Sequence, residues 1–320
     1  MYASPAAFLE VDERTIEWLV SAKLCTIKDV LDFAYRHAKL RTFRFCLQQW
    51  ERTPARPMDQ LGQASLSWPK GSLFAVDADW TEFVNILVSK GFAINEDALA
   101  GACGKTEVFK VLLERRRALV PASQEDSSVL TAVIPSAIDW KNMTVLKLLL
   151  DYGADVNGIR RQAGRNASVD PPASPLECAV GAGAWDFVEF LLERKASVKS
   201  STLMEATIRR ASSDGGNPEW AVKFLDKGAP LNWRTMTDAM GCSPEMFRAV
   251  ATHRTGRRLL QKKGVQSRVV GIAATVGNVD ALELLRTELG IDLREYKAAI
   301  IGQAREHLAV VTQYLASVGV

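Results

Sequence analysis

The chain has 320 residues, of which 48% are hydrophobic and 24% charged, a balance that excludes a disordered chain and allows two ordinary domains or one long array. Lys+Arg 40 against Asp+Glu 37 gives a formal net charge of +3, too even to mark a protein that coats nucleic acid. No apolar run reaches the roughly 18 residues of a membrane helix, and Met1 to Glu10 reads as neither the basic start nor the apolar core of a secretory signal.

In chain order, the first periodic segment is Thr15 to Leu24, around Ile16, Trp18, Leu19 and Val20. It is read as a helical cap, residues 1–24, over the first helical hairpin. Asp29 to Ala34 and Leu40 to Leu47 carry apolar residues at helical spacing, the pattern of that hairpin with one shared apolar side. Segment 51–71, with Pro54, Pro57 and Pro69, is read as an insertion, and so is segment 158–172, rich in Arg, Gly, Ser and Pro.

Between them lies the clearest unit, Thr144 to Asn157. Val145, Leu146, Leu148, Leu149 and Leu150 form an apolar face, and Gly153 stands where the helix must stop in a left-handed cap. Related stops recur as Gly91-Phe92-Ala93-Ile94-Asn95 and Gly228-Ala229-Pro230-Leu231-Asn232. Lys195-Ala196-Ser197-Val198 lacks the Gly, and Gly290-Ile291-Asp292-Leu293 lacks the Ala. Such self-similarity is the signature of a repeat architecture, in which stacked units bury a core none could bury alone.

These residues resemble the ankyrin repeat, which combines a T-P-L-H-x-A start, an inter-helix Gly, a Leu-rich second helix and a G-A-D-x-N turn. Ser174 to Ala179 is similar to that start, with Ser for Thr and Glu177 for His, and Gly183 and Phe187 to Leu192 follow in register. Arg268 to Ala273 resembles the start more loosely, with Gly277 after it, and Asp97 to Ala102 is a third partial match. Leu192 and Leu225 lie 33 residues apart, the ankyrin period. The resemblance implies an all-α ankyrin-repeat solenoid over 25–320, of about nine divergent units. Their second helices centre near Phe45, Ile86, Leu112, Leu149, Leu191, Phe224, Ala249, Leu284 and Val311. Two intervals of about 25 residues are read as first helices trimmed around Gly104 and Gly241.

Little in the chain reads as chemistry. His37, His253 and His307 fall in different units, away from any nucleophile motif, and no P-loop or G-x-S-x-G is present. The five cysteines stand singly, as buried thiols of an intracellular protein would, so neither a metal nor a cofactor is expected. Arg115-Arg116-Arg117 reads as a helix C-terminal complement. His253 to Lys263 carries Arg257, Arg258, Lys262 and Lys263 without an acid. It reads either as a solvated face between repeats or as a nuclear-import patch.

The resemblance implies a non-catalytic role, holding another protein on the concave face of a monomer in the cytoplasm or nucleus, as an adaptor or transcriptional co-regulator. Direct contact with nucleic acid or membrane is not expected. The residues placed on that face are Asn95, Asp155, Asn157, Asn232 and Trp233. Trp80, Trp140, Trp185 and Trp220, near the starts of second helices, fit either exposed contacts or packing between layers. The competing reading is an enzyme, or an enzyme's accessory subunit, with a site in a groove formed by the insertions.

Overall fold

The computed structural model describes residues 13–22, 30, 40–51, 94, 96–119, 127–158, 173–213 and 217–320. Every regular element among them is helical. The chain divides into two units, Met1–Gly158 and Ile159–Val320, and the division falls where the sequence reading puts the second insertion.

In the first unit, α1 (Glu13–Ser21) buries Ile16 and Leu19, while Trp18 stays 60% exposed. It meets α2 (Leu40–Glu51) through Arg41 to Glu13 and Gln49 to Glu17. Two hairpins follow: α3 (Glu96–Ala102) with α4 (Thr106–Leu119), and α5 (Ser127–Asp139) with α6 (Met143–Asp151). Within each pair the helices pack together, α3 also packs on α5, and α4 on α6.

The second unit repeats this rule over a longer run. Its first helices are α7 (Pro175–Ala182), α9 (Leu203–Ser213), α11 (Trp233–Cys242), α14 (Lys263–Thr275) and α16 (Lys297–Ala304). Each packs on the next in that order. Their partners are α8 (Trp185–Glu193), α10 (Glu219–Asp226), α12 (Pro244–Thr252), α15 (Val279–Thr287) and α17 (Leu308–Ser317). From α10 onward each partner likewise packs on the next. One short helix, α13 (Arg254–Leu260), is inserted between hairpins and packs on α12 and α14.

Residue size explains the two rows. Small buried residues (Ala98, Ala102, Ala137, Ala179, Ala239, Ala273 and Ala274) line the first helices and let neighbouring backbones come close. Phe109, Leu149, Phe187, Phe224, Phe247 and Leu282 fill the wider space along the second helices. In α6 the buried set is Val145, Leu146 and Leu149, narrower than the apolar face read from sequence, because Leu148 and Leu150 lie at its edges and are half-buried.

Hydrogen bonds cross from one hairpin to the next at matching places. Asn142 caps α6 by accepting from the Val145 N–H, and its Nδ2 donates to the Cys103 carbonyl at 2.9 Å, at the end of the preceding first helix. Asn278 does the same for α15, accepting from Ala281 N–H and donating to the Met240 carbonyl at 3.4 Å. A polar cap thus fixes the spacing of successive layers as well as starting a helix.

Two expectations change. The short interval around Gly241 does not come from a trimmed first helix: α11 runs ten residues to Cys242. What is missing is the loop, since Ser243 both ends α11 and caps α12, accepting from the Met246 N–H. Around Gly104 the shortening is real, because α3 has seven residues. Arg268 to Ala273 does not begin a first helix either. It lies in the middle of α14, which starts at Lys263 because α13 delivers the chain one turn early.

Gly256 makes that delivery possible. It is buried in α13, and a Cβ there would overlap the Val250 carbonyl oxygen and come within 2.8 Å of the Ala251 oxygen. Both are backbone atoms, so nothing flexible can yield. Gly256→Ala is therefore expected to lower unfolding free energy by about 1–3 kcal/mol, measured by denaturant titration. The same change at Gly264, where nothing lies within 4 Å, serves as the control.

Candidate protein-binding face

The turn after α6 is built from its own polar groups. The Asp155 N–H donates to Thr131 Oγ at 2.8 Å, and Thr131 in turn donates to the Ser127 carbonyl of α5. Asp155 Oδ1 accepts from the Asn157 N–H at 2.8 Å, an Asx turn. Both side chains are exposed. Asn95 lies outside the described residues.

In the second unit, Asn232 is used up locally as the N-cap of α11, accepting from the Thr235 N–H at 2.9 Å. Trp233 follows at the first helical position and is half-buried. Two guanidinium groups lie over its ring, Arg268 at 4.8 Å and Arg234 at 5.5 Å from the centroid. Arg268 comes from α14, so this cluster joins neighbouring first helices. Both arginines are exposed, and neither has a carboxylate within ion-pair distance among the described residues. Cations held against an aromatic face are oriented without being neutralised. The cluster can therefore take an acidic or aromatic group from a partner. Sequence reading singled out Trp233 and missed Arg268 as its companion. The signal was the separation of the two residues, close to the repeat period, which sets adjacent first helices side by side.

The other tryptophans divide. Trp185 and Trp220 stack at 5.1 Å with ring planes 10° apart, tying α8 to α10, and Lys223 sits 4.3 Å over Trp220. Trp140 is 45% exposed and lies against Gly104. Trp80 is outside the described residues.

The basic segment has a structural use. Arg254 donates to the Asp226 carbonyl at 3.2 Å, and Arg257 donates to the Thr252 carbonyl at 2.9 Å and the Glu288 carbonyl at 3.4 Å. Those carbonyls end α10, α12 and α15, so two arginines satisfy the C-termini of three successive second helices. His253 accepts from the Thr255 N–H at Nδ1, which leaves the Nε2 proton facing Asp226 at 3.1 Å. Lys263 pairs with Glu295. All four cations read as an import patch are exposed, and the side chains of Arg258 and Lys262 make no ion pair among the described residues.

The groups with displaced pKa values serve packing. Burial, with Asp139 nearby, pushes the Cys103 thiol up to about 12, so it holds its proton at neutral pH. Burial and a 2.6 Å hydrogen bond to Glu283 push Tyr314 up to about 12, and that bond joins α17 to α15. Arg286 and Tyr314 together hold Glu283 low. Glu177 is the residue that stands where the resembled motif has His. Burial pulls its pKa up, but hydrogen bonds from Ser200, Thr202 and Ser174 outweigh that and hold the carboxyl below its ordinary value. Ser174 and Glu177 form a reciprocal capping box on α7, while Ser200 and Thr202 come from the approach to α9. One carboxylate thus caps its own helix and grips the next repeat.

Among the described residues, no group of three or more His, Cys, Asp or Glu is placed to hold a metal ion, and no helix is long and apolar enough to cross a membrane. Compared with known proteins, the chain matches no family model, and the search of curated proteins gives no match.

Glu177→Gln keeps the shape and removes the charge that Ser200 and Thr202 donate to. It is expected to cost about 1–3 kcal/mol at pH 7. Because the folded pKa is lowered, the advantage of Glu over Gln is complete above the unfolded carboxylate pKa and fades as pH falls through the folded value. Denaturant titrations of both proteins between pH 7 and pH 3 check this: the two curves should converge on the acid side.

Proposed function

We propose that the chain is a divergent ankyrin-repeat solenoid that acts without catalysis, holding a partner protein on the surface where first helices and helix-ending turns emerge. The observation that carries this reading is the serial packing of first helix on first helix in both units. It is joined by left-handed stops after the second helices at Gly153, Lys195, Gly228 and Gly290. That packing sets side chains of neighbouring repeats beside one another, as Trp233 and Arg268 are. A row of such positions makes an extended recognition surface from a small unit.

The Trp233, Arg234 and Arg268 cluster is the proposed anchor, since aromatic and arginine side chains dominate the energetics of protein interfaces. Asp155 and Asn157 are proposed contacts on the first unit. An intracellular setting, cytoplasmic or nuclear, goes with this reading. Cys46 and Cys103 are buried as small apolar side chains.

Tagged full-length protein and its Trp233→Ala and Arg268→Glu variants, compared by affinity capture and quantitative mass spectrometry, test the proposal. Each variant is expected to keep its helical circular dichroism and to lose at least about tenfold in recovery of the same partner. An unchanged partner set for both variants and for Asp155→Lys would sink the idea of this face.

A further inference from the structure

We propose that Ser212 is a phosphorylation site for an arginine-directed serine kinase. Adjacent arginines occur at 115–117, 160–161, 209–210 and 257–258. Only Arg209-Arg210 is followed, one residue on, by a hydroxyl, in the run Arg209-Arg210-Ala211-Ser212. A kinase with an acidic substrate groove recognises guanidinium groups three and two residues before the acceptor, because each pairs with carboxylates through a fork of N–H donors.

The structure places this run where an enzyme can reach it. It is the last turn of the eleven-residue helix α9. Arg209 and Ser212 are both exposed. Three residues apart, they share one side of the helix. Arg209 has no carboxylate within ion-pair distance among the described residues, and Ser212 Oγ donates only to the Ile208 carbonyl, at 3.1 Å. Arg210 is half-buried over Gly183, so the kinase reads it by opening the end of the helix. Unwinding from Arg209 onward exposes one small buried side chain, Ala211, and helix ends are where opening costs least. Ser213 is exposed too, but its arginines stand four and three residues back, out of register.

In the transfer, Ser212 Oγ attacks the γ-phosphorus of a nucleoside triphosphate. The new O–P bond forms as the bridging bond to the β-phosphate breaks, the nucleoside diphosphate leaves, and the serine proton passes to the kinase's carboxylate base. The product loses its hydrogen bond to Ile208 and adds about two negative charges beside a helix C-terminus, where the helix dipole opposes them. Arg209, on the same side, then pairs with the phosphate, so the group that marks the site also holds the product.

The test uses the folded full-length protein, the purified catalytic subunit of cyclic-AMP-dependent protein kinase and magnesium ATP, with the modified residue located by mass spectrometry. One phosphate is expected on Ser212, abolished in Ser212→Ala, unchanged in Ser213→Ala and slowed at least about tenfold in Arg209→Ala by loss of one charge-assisted contact. Equal labelling of the parent and Ser212→Ala would overturn the proposal. So would labelling of the urea-denatured chain but not the folded one, since the helix end would then conceal the site.

Discussion

A helix can fold back on its neighbour only if its last carbonyls are satisfied while the chain reverses, and this constraint recurs throughout the protein. After α6 the Gly153 N–H bonds to the Leu150 carbonyl and the Ala154 N–H to the Leu149 carbonyl, with Gly153 at φ +100°. The same pair of bonds closes α8 at Lys195 and Ala196, and α10 at Gly228 and Ala229. In each case the following alanine is buried, packing on the helix it has just left. The turn tolerates loss of glycine: Lys195 adopts φ +66°, at a cost of roughly 1 kcal/mol. The packing around Leu191 and Ala196 is worth more than that.

With reversal secured, the layers still need a fixed spacing, and polar side chains set it. Asn142 and Asn278 reach from the start of a second helix to the last carbonyls of the previous first helix. Glu177 reaches forward to Ser200 and Thr202. Arg254 and Arg257 bind the ends of three second helices. These bonds are few and directional, and most join residues of neighbouring hairpins. They specify neighbour-to-neighbour geometry while the apolar rows supply most of the energy. Where the rhythm is broken by the added helix α13, Gly256, which has no room for a methyl group, absorbs the change.

The surface that results takes its chemistry from position. Trp233 and Arg268 are ordinary residues alone; side by side they form an aromatic ring flanked by cations that no carboxylate among the described residues neutralises. The basic run at 253–263 behaves in the opposite way. Its charge density reads as a surface patch, but two of its arginines are spent on backbone carbonyls within the fold and Lys263 pairs with Glu295.

Periodicity and stops are local, so the sequence alone determined the helical class, the second helices around Leu112, Leu149, Leu191, Phe224, Ala249, Leu284 and Val311, and the turns at Gly153 and Gly228. It also singled out Trp233. Other features were decided only by tertiary packing. α5 runs through Pro135 despite a local cost of about 3 kcal/mol, because Leu130, Val133, Ile134, Ala137 and Ile138 are all buried along it. Arg268 reads as part of a helix start, yet it became the partner of Trp233. Gly241 reads as a helix trimmed short, and the chain shortened a loop instead. These outcomes depend on which residues of neighbouring layers face each other, and a contact between residues a full repeat apart leaves no trace in the local pattern of either.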